Sequence, residues 1–410
     1  MKKLLIFGIT ILLIVIGCKK NDDKTIRKSS DTIGSKGMLI NNNLSSLNKR
    51  ISLSDTTPAY IFGDTTKKTM KSDKETVPSS ITIQTIAHLY PPEYKGEVLQ
   101  ASHVRIVDHY AYVTYNTQGP RYLGGVDIVD ISSPNALELV SSVIFINEET
   151  NKGKDVSSVD VKFPSSAKNI LWITGADEAR DSAFAERYEL NSLNQFESGQ
   201  SVNFSLKGFV GTDVRFYNDK VYVTSGTGGG LTILDNKMKE VSFMNVENAR
   251  SIDVNKDFEI ALGGNPGHLY NPGIWDKEIG GSTDPDAKSI LRLYNKFALV
   301  ALGEEGLKCY DVSSNVPSTV ISALPRPAVP EGASSRDYVT NGVSVSDNGW
   351  VYIANGAGGL DIAKIGTDGK LTWMGNINLG ASVNFVEANA KYVFVARGVL
   401  GLKILKVIEN

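Results

Sequence analysis

Gly124-Gly125-Val126-Asp127-Ile128-Val129-Asp130, with Ile131-Ser132-Ser133-Pro134 after it, is the stretch on which the fold turns. A glycine pair opens it, a β-like run rich in Val and Ile fills it, and a carboxylate followed by Ser and Pro closes it. That is the composition of a strand running into a turn. A second β run, Tyr112-Val113-Thr114, precedes it, and His103-Val104-Arg105-Ile106-Val107 precedes that. The pattern recurs in Tyr222-Val223-Thr224 with Gly230-Leu231-Thr232-Ile233-Leu234-Asp235, and in Val300-Ala301-Leu302 with Gly306-Leu307-Lys308-Cys309-Tyr310-Asp311. Two later copies are Tyr352-Ile353-Ala354 with Gly359-Leu360-Asp361-Ile362, and Val393-Phe394-Val395 with Gly401-Leu402-Lys403-Ile404-Leu405. A short segment such as Val241-Ser242-Phe243-Met244 follows each copy, so the unit is four strands joined by tight turns.

Four antiparallel strands per repeat are the signature of a β-propeller rather than of a one-strand-per-turn solenoid. First strands are expected near Ser102, Ser158, Thr212, Ser251, Ser289, Gly342 and Ser382, with the least regular copies at Ile170-Leu171-Trp172-Ile173 and at Phe258 to Leu262. The last repeat stops after three strands, while Ile81-Thr82-Ile83-Gln84-Thr85-Ile86 stands unassigned before the first. The expectation over residues 81–410 is an all-β, seven-bladed β-propeller of four-stranded antiparallel blades, closed by an N-terminal strand that completes the last blade and pairs two otherwise open edges.

Val126-Asp127-Ile128-Val129-Asp130 after Gly124-Gly125 resembles the LVIVD repeat of bacterial surface and secreted propellers. Asp311-Val312-Ser313-Ser314 keeps the turn of that repeat, whereas Lys364 and Lys406 depart from its Asp. The resemblance implies a propeller and no particular reaction, since the family has no common one. Trp-Asp occurs once, at Trp275-Asp276, unlike the recurring pair of WD-repeat proteins.

The N-terminus carries an address. Met1-Lys2-Lys3 is a positive n-region and residues 4–16 are an apolar run too short for a membrane span. Val15-Ile16-Gly17-Cys18 resembles the lipobox of bacterial lipoproteins, which implies a signal peptide over residues 1–17 and acylation of Cys18. Lys19 after the cysteine, by the same resemblance, implies sorting to the outer membrane, facing the periplasm or the cell surface. Residues 18–80 are rich in Ser, Thr, Asn and Lys and read as a flexible tether, with an end-to-end distance of roughly 40–45 Å. Tyr60-Ile61-Phe62 is the stretch within it suited to local docking.

A formal charge of −2 in 410 residues, with 43 basic against 45 acidic side chains, gives no general attraction to nucleic acid or anionic lipid. Two cysteines cannot build a thiolate metal site. With Cys18 lipidated, Cys309 is a plain core thiol. His88, His103, His109 and His268 show no ligand spacing, and the repeat glycines precede strands rather than helices, so they shape turns instead of cradling phosphate. Asp130, Asp235 and Asp311 are expected to accept backbone N–H groups in turns. Trp172, Trp350 and Trp373 read as strand packing residues and Trp275 as a loop residue. Asp160, Asp213, Asp253 and Asn384 fall on first strands, where side chains can line the channel.

First-to-second turns such as Tyr217-Asn218-Asp219-Lys220 are short. Length gathers in second-to-third loops (116–123, 175–187, 263–267 with 271–286) and in blade-to-blade loops (147–155, 325–338), which emerge together at one mouth of the channel. Rigid scaffolds carry function on such loops. The candidate binding residues are Arg121, Tyr122, Asp177, Arg180, Asp181, Trp275, Asp276, Arg326, Arg336, Asp337 and Tyr338. Arg with Tyr and Trp suits a planar or anionic partner. The expected role is a membrane-tethered binding module for an extracellular glycan, peptide or protein, needing no cofactor. The alternative is a metal-dependent hydrolase, with a divalent cation on Asp177, Asp181 or Asp337 activating water.

Overall fold

The turn residues behave as their types dictate. Asn218 and Asp219 take φ of 48° and 60°, the doubly left-handed geometry of a two-residue hairpin, and Gly211–Tyr217 folds back antiparallel on Lys220–Ser225. Asp235 Oδ1 accepts Lys237 N at 2.8 Å and Lys239 N at 2.9 Å, and Asp130 and Asp311 accept from Ser132 N and Ser313 N in the same way. This computed structural model describes residues 33–35, 37–53, 60–62, 80–133, 136–163, 168–199, 201–283, 288–314, 317 and 319–409; Cys18 and the segment read as an export signal lie outside them.

The chain is all-β, built of four-stranded antiparallel units with strands in sequence order. Gly211–Tyr217 to Glu240–Met244, Ser251–Val254 to Trp275–Glu278, Leu291–Tyr294 to Ser322–Leu324, and Gly342–Val345 to Leu371–Ile377 are separate sheets. Before them, Gln100–Val107 to Glu138–Asn147 and Lys152–Lys162 to Ser201–Ser205 are joined by two residue pairs, Ile146 with Gly153 and Asn147 with Lys152. After them, Phe385–Ala388, Tyr392–Ala396 and Leu402–Glu409 pair in order, and Ile81–Leu89 adds alongside, with Leu402 opposite Leu89 and Glu409 opposite Ile81. The units are numbered below in chain order from Gln100–Val107.

Apolar side chains sort into clusters between consecutive units, because each strand alternates its side chains to two neighbours. Tyr112 and Val126 of the first unit meet Val159 and Leu171 of the second. Trp172 of the second stacks on Phe216 of the third, with ring centroids 4.6 Å apart. Phe394 and Leu402 of the last unit meet Val104 and Val113 of the first. Cys309 is buried between the fifth and sixth units, where desolvation pushes its thiol up to about 12. Innermost-strand irregularities between Ala101 and His103 and between Gly211 and Asp213 expel one hydroxyl residue each from the ladder. Ser102 Oγ then donates to Val156 O at 3.2 Å and Thr212 Oγ1 to Ala249 O at 2.9 Å, tying each unit to a later one.

Part of the segment read as a flexible tether is docked. Met38–Asn41 pairs with the outer edge of Glu138–Asn147, while Ile51–Leu53 and Tyr60–Phe62 pair with the free edge of Ile81–Leu89. Between them a helical turn, Leu44–Leu47, is capped by Asn43 Oδ1 accepting Ser46 N at 3.0 Å. Composition hid this because few apolar residues are used: Met38, Ile40 and Leu47 are buried, and amides do the rest. Asn48 Oδ1 accepts Leu139 N at 2.8 Å, Asn42 Oδ1 accepts Ser141 Oγ at 2.7 Å, and Asn42 Nδ2 donates to Phe196 O at 3.0 Å. A strand edge presents unpaired backbone groups, and a polar segment satisfies them as well as an apolar one.

Candidate binding face

Second-to-third turns and unit-to-unit connections share one face, and they place most of the expected residues in two corners. At the first and second units, Arg121 Nη1 donates to Glu97 Oε2 at 2.7 Å and stands over the Tyr94 ring. Burial raises the Tyr122 phenol, and the carboxylates Asp155, Asp181 and Glu178 add to the effect. Asp155 accepts Leu123 N at 3.1 Å and Thr117 N at 3.4 Å, yet burial pushes it up to about 6. Asp177 is buried, with Oδ1 accepting Ala179 N at 2.9 Å and Oδ2 lying 3.6 Å from Arg180 and 4.0 Å from Lys154.

Three expectations about this face need correction, besides the connection foreseen as long over 147–155, which is a four-residue turn because Asn147 pairs with Lys152. The loop foreseen over 175–187 is a short turn, because Ile170–Asp177 and Ser182–Glu189 pair all the way to Asp177 opposite Ser182. Trp275 and Asp276 belong to the strand Trp275–Glu278 and start it after a third-to-fourth turn, so they lie toward the opposite face. His268 Nδ1 is 2.6 Å from Asp276 Oδ1 across that pair. The third correction is Trp373, which is 54% exposed rather than packed.

Trp373 marks the second corner. Arg326 Nη1 donates to Ser335 O at 2.8 Å and Tyr338 O at 3.1 Å, which fixes the fifth-to-sixth connection around its 3-10 turn, Ser335–Asp337, the turn that holds Arg336 and Asp337. Between this connection and the outer strand Leu371–Ile377 lies a groove of about 600 Å³, lined by Pro325, Arg326, Pro327, Tyr338, Trp373 and Asn378 among others. Its floor is Asp361, which accepts Asn355 Nδ2 and Asn376 Nδ2, each at 2.8 Å. Burial raises that carboxyl, while hydrogen bonds from Asn376, Trp373 and Asn355 oppose the shift. Trp373 thus stands beside a buried carboxylate with its ring toward solvent. The groove sits at the rim between two units, not at the channel mouth. A signal was available in the sequence: Trp373 falls on a fourth strand, which has no further strand beyond it.

The carboxylates nominated for a metal do not converge. Asp177 and Asp181 share one turn, Asp337 belongs to the fifth-to-sixth connection, and among the described residues no three His, Cys, Asp or Glu side chains are grouped to hold an ion.

No family model and no curated protein matches this sequence. Among solved structures the chain is similar to the RRP9 WD40 repeats, at 10% identity and a TM-score of 0.55, over 80% of this chain and 97% of that one. It is similar to U3-55K at 11% identity and a TM-score of 0.55, over 79% of this chain and 98% of that one. For the WD40 β-propeller domain of Doa1 the values are 13% and 0.51, over 79% and 96%. At such identities the likeness speaks to architecture alone, and the architecture it assigns to the chain is that of a β-propeller.

Proposed function

We propose that this protein is a lipid-anchored binding scaffold of the bacterial envelope, an LVIVD-type propeller acylated at Cys18, placed at the outer membrane and presenting its rim groove to a glycan. We read the units as seven blades, with Ile81–Leu89 closing the last; its pairing with Leu402–Glu409 and the cluster joining Phe394 to Val104 support that reading. The observation that carries the binding role is Trp373, an exposed indole lining a groove whose remaining lining mixes Arg326, Asn378 and a buried carboxylate. An apolar platform with a few convergent polar groups is the usual construction of a ligand site. The flat face of a pyranose fits the ring, and its hydroxyls fit the amides and the guanidinium; a peptide or a protein surface is the competing occupant.

Capture of the full-length protein on immobilised glycans and peptides tests this. Trp373→Ala is expected to weaken glycan capture at least about tenfold, roughly 1.4 kcal/mol, with an unchanged melting temperature because the ring is largely exposed. Equal capture by the variant removes the groove, and capture of peptides alone replaces the glycan. The anchor has its own check. Cys18→Ser should move the protein from the membrane to the soluble fraction on cell fractionation, since acyl chains supply about 0.8 kcal/mol per buried methylene; a variant that still sediments with membranes refutes the lipid anchor.

A further inference from the structure

The innermost strands carry a charged cluster that the rim groove does not use. Its carboxylates are all matched. Arg105 donates to Asp160 at 2.9 Å and to Glu387 at 2.8 Å. Arg215 Nε lies 3.3 Å from Asp253. Asp160 and Asp253 also accept Phe216 N and Leu293 N, both at 2.8 Å. Asp213 takes Ser158 Oγ at 2.8 Å and Ser251 Oγ at 2.7 Å, with Arg215 at 3.3 Å and Arg292 at 3.6 Å.

The donors are not all matched. Arg292 Nε and Nη2 and Arg215 Nη2 are buried without a hydrogen-bond partner, on arginine side chains only 7% and 3% exposed. Buried N–H groups left this way cost about 1–3 kcal/mol each, more when charged. They also converge. Arg292 and Arg215 share Asp213, and Phe385 lies beneath the group, with its ring 4.2 Å from the His103 ring, 5.6 Å from the Arg292 guanidinium and 5.7 Å from Lys288 Nζ. Lys288 donates to Ser102 O and retains further N–H donors.

We propose that this cluster is an anion site, in which a phosphate or sulfate group accepts from the Arg292 Nε and Nη2 fork, from Arg215 Nη2 and from Lys288. Arg292 presents the side-on edge of its guanidinium, which matches two oxygens of one anion. The free N–H bonds of the two guanidinium groups and the Lys288 ammonium outnumber the roughly four lone-pair positions of a carboxylate, which favours a tetrahedral oxyanion. The local field agrees. Burial lowers Lys288 to about 8, and burial followed by repulsion from Arg215 lowers Arg292. His103 is held well below its ordinary value by burial and by Arg215, Arg292, Lys288 and Arg105. Lys288 is partly exposed and sits in the fourth-to-fifth connection, on the loop face.

Titration of the full-length protein with inorganic phosphate, sulfate and acetate at constant ionic strength, followed by calorimetry and melting temperature, tests the assignment. Saturable binding and stabilisation are expected with phosphate and sulfate, and binding at least about fivefold weaker with acetate. Affinity should fall as pH rises through about 8, where Lys288 loses its proton. Lys288→Met should bind phosphate about tenfold more weakly, and Arg292→Lys, which keeps the charge but breaks the fork, should do the same. Absence of saturable binding, or binding that both folded variants retain in full, overturns the site and leaves water as what satisfies these donors. Tighter binding of acetate than of phosphate overturns the tetrahedral class.

Discussion

Replacing Asp213 with Ala is expected to remove roughly 3–5 kcal/mol of stability and to lower the melting temperature by roughly 4–7 °C. Asp213 is fully buried, and its two oxygens hold side chains from the second, third, fourth and fifth units: Ser158, Arg215, Ser251 and Arg292. Deleting the carboxylate leaves two buried guanidinium groups without their shared counter-charge, which is the costly way to break an ion pair. Although burial alone would raise its pKa, Arg215 and Arg292 with hydrogen bonds from Ser251 and Ser158 hold Asp213 below the usual carboxylate value. A depressed folded pKa contributes stability that is present above the unfolded value of about 3.9 and is lost as pH falls through the folded value. The gap between wild type and Asp213→Asn should therefore be full at neutral pH and close under acid. Thermal melts across that range measure it, and a gap that stays constant into acid contradicts the electrostatic account.

Arg50→Ala should cost roughly 3 kcal/mol or more. Arg50 comes from the docked part of the presumed tether; its Nη1 donates to Asp127 Oδ1 at 3.1 Å and to Ser142 Oγ at 3.2 Å, its Nη2 donates to Asp127 Oδ2, and its Nε donates to Tyr90 O at 3.0 Å. Asp127 lies within the repeat motif of the first unit and is fully buried, so the variant strands a carboxylate away from water. Combining Arg50→Ala with Asp127→Asn should recover much of the loss, because the neutral amide no longer needs a counter-charge. Chemical denaturation of the single and double variants supplies the cycle. If Arg50→Ala melts like the wild type, the segment 37–53 does not hold the sheets together in solution. The same reasoning predicts that fragments beginning at Ser80 are weaker than the full chain.

Local features were legible in the sequence for local reasons. Asn218-Asp219 is a two-residue hairpin because those side chains tolerate left-handed backbone, and Asp235 closes a turn because its carboxylate reaches N–H groups two and four residues on. Period-two runs such as Tyr112-Val113-Thr114 read as strands because burial on either side of a sheet imposes that period. The irregular fourth copy was legible too: Glu259–Gly263 is its second strand, where Phe258 to Leu262 was expected.

The candidate site was far less legible. Trp373 in its strand resembles Trp350 in its own, yet one is exposed and the other buried, because outer and inner strands differ only in what lies beyond them. Asp127 reads as one more polar position in an alternating run; its need for Arg50, 77 residues earlier, exists only once two segments meet. Asp213 and Arg292 likewise become partners only where innermost strands of different units converge.

The sequence by itself thus determined the strands, the turns and the four-strand unit, since each depends on interactions within a few residues. Tertiary structure alone decided which charges are buried together, which aromatic ring faces solvent and which polar segment is docked. Burial and pairing are properties of the assembled surfaces, and the same side chain is stabilising, costly or free to bind according to what those surfaces place beside it.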